Sequence, residues 1–78
     1  MAIELQAADK KSIVEQHLKA ISLSKYNVEL SLLEANSLTD KNQGSIDALN
    51  IQLIELQAQY DALNTEYQSV LAEIENPS

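Results

Sequence analysis

The chain has 78 residues, no Cys, no Trp, one Gly, one Pro and a net charge of −7. This excludes a disulfide framework, a thiolate nucleophile and a Cys-based zinc site, and leaves room for one small domain with a thin core. The charge is uneven: residues 1–45 hold six acids and five Lys, whereas residues 46–78 hold Asp47, Glu55, Asp61, Glu66, Glu73 and Glu75 with no Lys or Arg.

An acidic surface of this kind argues against nucleic-acid binding, which requires phosphate neutralisation by basic side chains, and against docking on anionic membranes. No apolar run reaches the ~20 residues of a membrane span. The opening MAIELQAADKK lacks the basic start and long apolar middle of a signal peptide, so a cytoplasmic setting is expected. The abundance of Ala, Leu, Glu, Gln and Ile, with only three aromatic residues, favours helix.

In chain order, Ile3 and Leu5 fit no later pattern, so Met1–Lys11 is expected to fray or pack separately. Ser12 and Glu15 form the spacing of a capping box, which predicts a helix start near Ser12, with Asp9 or Ala2 as earlier alternatives. Val14, Leu18, Ile21, Lys25, Val28, Leu32 and Ala35 then recur in steps of three and four, an apolar seam of heptad type. Lys25 interrupts it and is expected to snorkel. Leu23, Tyr26, Leu30 and Leu33 form a second stripe on the side away from that seam.

The segment LTDKNQGSI follows, Leu38–Ile46. Its Asn, Ser, Thr and Asp residues are turn and cap formers. Gly44 would cost about 1 kcal/mol relative to Ala inside a helix. An unbroken helix is nonetheless compatible with the register, since Ala35, Thr39, Asn42 and Ile46 keep the steps of four and three. Beyond it, Ile46, Leu49, Leu53, Leu56, Tyr60, Leu63, Tyr67, Val70 and Ile74 form a seam without a miss, with Ser45 as its expected N-cap and Asn76-Pro77 as its stop. Ile51, Ile54 and Ala58 make a far-side stripe on this second segment.

The two far-side stripes favour a turn over a straight rod. Their midpoint falls within Thr39–Gly44, so folding back there sets them at one height. The sequence therefore predicts an all-α antiparallel two-helix hairpin over residues 1–78: a helix at about 9–37, a turn at about 38–45 and a helix at about 46–75. A helix that is apolar on two faces needs a further neighbour. Self-association is thus expected, most simply as a dimeric four-helix bundle. Pairing of the second helix with the first, as in the hairpin, brings Lys19, Lys10 and Lys11 within reach of the acids at Glu66 and Glu73.

Candidate chemistry is sparse. His17 is the only His; Glu15, two residues away, points to another helix face, so a rim position is expected. The segment Glu15-Gln16-His17 has the wrong spacing for the Glu-x-x-His pair of a di-iron bundle. Tyr60 and Tyr67 suit a core whose hydroxyls reach the edge. Without a phosphate loop, triad or paired carboxylates, no enzyme activity, cofactor or metal is expected. The expected function is protein–protein interaction, as an oligomeric scaffold, adaptor or assembly factor. Its interface would be Leu23, Tyr26, Leu30, Leu33, Ile51 and Ile54, its partners further copies of itself and another protein. The alternative is a small acidic regulator or inhibitor on a basic surface of an enzyme or nucleic-acid-binding protein, with Glu55, Asp61, Glu66 and Glu73 as contacts.

Overall fold

The computed structural model describes residues 5–76. Two helices, α1 (Ala7–Asn36) and α2 (Gln43–Glu75), pack lengthwise as a hairpin. The molecule measures 59 × 21 × 17 Å, too short for one unbroken helix at about 1.5 Å per residue. The chain therefore turns back between Asn36 and Gln43.

The helix ends differ from the expected ones. Helix α1 starts at Ala7, ahead of Ser12, with Gln6 as N-cap; the Gln6 N–H donates to Asp9 Oδ2 at 3.4 Å. The segment Ala7–Lys11 consists of strong helix formers with an acid in the first turn, where it faces the positive end of the helix dipole. The capping-box pair Ser12 and Glu15 consequently lies inside the helix, and Glu15 is used elsewhere. Met1–Glu4, including Ile3, lie outside the described residues.

Helix α1 ends through side chains that take over its last carbonyls. Asn36 Nδ2 donates to Leu32 O at 2.9 Å, and Ser37 Oγ donates to Glu34 O at 2.7 Å. Such bonds compete with helix continuation. Asn42, three residues ahead of the expected Ser45, is the N-cap of α2. Its side-chain oxygen accepts from Ser45 N–H at 3.2 Å, and its carbonyl accepts the first helical bond from Ile46. Gly44 thus falls in the first turn of α2 and does not break a helix; it has no positive φ. At the other end Asn76 is the C-cap, with φ −127° and ψ 65°; the expected stop at Pro77 lies outside the described residues.

Burial follows the two seams except at the end of α2, where the expected seam residue Ile74 is exposed and Leu71 is half-buried instead. Residues 14, 18, 21, 25, 28, 32 and 35 on α1, and 49, 53, 56, 60, 63 and 67 on α2, are all half-buried, and their neighbours are mostly exposed. Ile46 and Val70 are the buried side chains among the described residues, one at each end of α2. A pair of helices can cover each seam from one side only, which is why the middle stays half-open.

Candidate protein interface

Three contacts fix the register of the hairpin. Lys10 Nζ lies 3.6 Å from Glu73 Oε2, Tyr67 Oη donates to Glu15 Oε2 at 2.7 Å, and Lys25 Nζ donates to Gln57 Oε1 at 2.6 Å. Steps of five and ten residues along α1 are matched by steps of six and ten back along α2. This sets Leu23, Tyr26, Leu30 and Leu33 at the same height as Ile51 and Ile54.

All six residues are exposed: Leu23 at 57%, Tyr26 at 60%, Leu30 at 37%, Leu33 at 67%, Ile51 at 56% and Ile54 at 70%. Spacings of three and four align the first four along one face of α1, and Ile51, Ile54 and Ala58 along one face of α2. Because the seams face each other, both stripes lie on the outer edges of the hairpin. The structure brings the members of each stripe together but separates the two stripes across the width of the molecule. They form two apolar edges, one on each helix.

The flanking polar residues follow from the register. Lys25, half-buried within the seam, extends to Gln57. Lys10 reaches Glu73, whereas Lys11 pairs within its own helix with Glu15 at 2.9 Å. Lys19 makes no ion pair among the described residues. The cluster of Lys11, Glu15 and Tyr67 is absent from the sequence reading; only the interhelical register brings Tyr67 to Glu15, so local spacing carries no signal for it.

The cluster shifts its own protonation equilibria. The hydrogen bond from Tyr67, then that from Lys11, holds the Glu15 carboxyl below its ordinary range. The bond to Glu15, with a lesser effect of burial, raises the Tyr67 phenol. The bond to Glu15 and its charge raise Lys11. Each partner thereby favours the state in which Glu15 is ionised and Tyr67 and Lys11 are protonated.

Chemistry beyond this is thin. A shallow groove of about 240 Å³ lies beside the seam, lined by Ser24, Val28, Gln52, Glu55, Leu56 and Gln59. Glu55 is the only ionisable group in that lining, so the groove holds no acid–base pair. His17 is exposed, and among the described residues no group of three or more His, Cys, Asp or Glu could hold a metal ion. Among the described residues no helix is long and apolar enough to cross a membrane.

Fold and surface together define a small antiparallel helical hairpin with two apolar edges. Comparison with known proteins gives no match: no family model fits the chain, and no curated protein or solved structure is detectably similar to it.

Proposed function

We propose that this chain is a non-enzymatic protein–protein interaction module, an oligomeric helical scaffold, adaptor or assembly factor that also contacts another protein. Its working form would be an association of hairpins, most simply a dimeric four-helix bundle. The observation that carries this reading is the balance of apolar burial. Ile46 and Val70 are buried, whereas Leu23, Tyr26, Leu30, Leu33, Ile51 and Ile54 all stand in solvent at one height. Exposed apolar bands of this kind mark interaction surfaces, and Tyr is enriched in the energetic centres of interfaces.

The rival reading, an acidic regulator, draws on the absence of Lys and Arg from residues 46–78. Several of those acids already have partners within the hairpin: Glu73 has Lys10, and Asp61 accepts from Gln57 Nε2 at 2.9 Å. The apolar edges have none.

The test is the double substitution of Leu30→Glu with Ile54→Glu, read by sedimentation mass and by capture of binding proteins. Loss of the assembly or of binding, with helix content retained, is expected. An unchanged mass and unchanged binding would refute the reading. Binding that persists in the double variant but weakens steeply with salt would favour the acidic regulator.

A further inference from the structure

We infer that the contact between copies joins the α1 edge of one hairpin to the α2 edge of the next, antiparallel and at the same height, so that the neighbour's α2 repeats on the outside of α1 what its own α2 does on the inside. This rests on the self-association proposed above and specifies how it is built.

Side-chain size supports this pairing. In the register that overlaps the two stripes fully, Leu33 faces Ile51 of the neighbouring copy, Leu30 faces its Ile54, and the large Tyr26 faces its Ala58. Large-against-small pairing lets adjacent layers interdigitate. Leu23 closes the stripe against the neighbour's Asp61. One turn further, Lys19, which makes no ion pair among the described residues, lies within reach of that Asp61.

Charge supports it independently. Along the margins of this contact Glu29 meets Gln57 of the neighbour, Asn27 meets Glu55, Asn36 meets Asn50, and Glu34 meets Ala48, so no like charges face each other. Like-to-like contacts fare worse. Pairing two α1 edges antiparallel sets Glu29 against its own copy at the two-fold axis; pairing them parallel sets Glu29 against Glu34. Pairing two α2 edges antiparallel sets Glu55 against Glu55, on a helix with no Lys or Arg to compensate. Like charges across an interface suppress the wrong arrangement.

A contact between unlike edges repeats from copy to copy. Because the two edges lie on opposite sides of each hairpin, two copies make this contact once, and several copies around a common axis along their length close it into a ring. Closure adds stability, because the last contact forms within an assembly already joined.

Cross-linking tests the inference, because the chain has no Cys of its own. Ala20 and Ala62 are exposed and border the two edges; the proposed contact brings Ala20 of one copy beside Ala62 of the next. Ala20→Cys and Ala62→Cys chains are prepared separately, mixed in equal amounts and treated with a short bis-maleimide. A mixed product is expected that neither variant gives alone, and it should be lost when Leu33→Glu is added to the Ala20→Cys chain. Wild-type chains that associate without this mixed product, or a dominant product between Ala20→Cys and Glu34→Cys chains, would overturn the unlike-edge contact and leave self-association standing. A wild-type mass of one chain at every concentration would overturn both, and assign the edges to a different protein.

Discussion

The Tyr67 hydroxyl donates to the Glu15 carboxylate at 2.7 Å across a separation of 52 residues. Lys11 donates to the same oxygen at 2.9 Å, so one carboxylate joins both helices at the open end of the hairpin. The shifts set a pH window. Glu15 is held below its ordinary range, so its contribution is complete above the usual carboxylate pKa and is lost as pH falls through the lowered value. Tyr67 and Lys11 are raised, so their contributions are complete below their ordinary values and are lost as pH rises through the raised ones. Thermal melts from acid to alkaline pH are expected to show a plateau bounded by these limits. Glu15→Gln should flatten both flanks, and an unchanged profile would show that the cluster does not couple to folding.

Gly44→Ala should stabilise the hairpin. Gly44 is helical, and the neighbour that an added Cβ would meet is the Asn42 Oδ1 atom at 3.4 Å, an ordinary contact. Removing the glycine should raise stability by about 0.5–1 kcal/mol. If the melting temperature falls, the Ala methyl has displaced the Asn42 cap.

Asn42→Ala should have the opposite sign. It removes the acceptor of the Ser45 N–H, and a lost N-cap costs about 1 kcal/mol. Ser45→Ala is the control, because Ser45 contributes its backbone N–H and not its hydroxyl to this cap. Equal losses in the two variants would return the cap to Ser45.

Val70 and Leu33 should separate folding from assembly. Val70 is fully buried, whereas Leu33 is 67% exposed. Val70→Ala is expected to cost about 1–3 kcal/mol at any protein concentration. Leu33→Ala should cost little in dilute solution and more as concentration rises, since assembly stabilises the folded form by mass action. Denaturant titrations at two protein concentrations read this difference; parallel curves for both variants would count against self-association.

Lys25→Leu should raise stability while loosening register. Lys25 occupies a seam position and donates to Gln57 at 2.6 Å. Apolar replacement removes a half-buried charge and fills the seam, but polar residues at such positions fix alignment. A higher midpoint with a broader distribution of assembled masses is expected, and a lower midpoint would show that the Gln57 contact outweighs the gain in packing.

Helix type and the identity of the buried face were legible in the sequence. The half-buried positions 14, 18, 21, 25, 28, 32 and 35 are the seven residues of the first seam, because a helix facing one neighbour must bury side chains at steps of three and four. The turn was legible through the matching heights of the two far-side stripes. The caps were less so. Ser45 and Asn42 are both good cap formers, as are Asp9 and Ser12 within reach of an acid, and local propensity does not choose between candidates three residues apart. The candidate interface was legible as two far-side apolar stripes, one on each helix, because helical spacing alone aligns them.

The sequence by itself determined that the chain is helical, which stripe of each helix is apolar enough to be covered, and that the second helix carries acid without base, since these properties depend on residue order along one helix. Only the tertiary structure decided that Asn42 starts α2 and that Glu15 serves Tyr67 instead of a cap. The physical reason is that those outcomes depend on how one helix is rotated and slid against the other. That alignment is set by all the seam residues packing together, and no short stretch of sequence contains it.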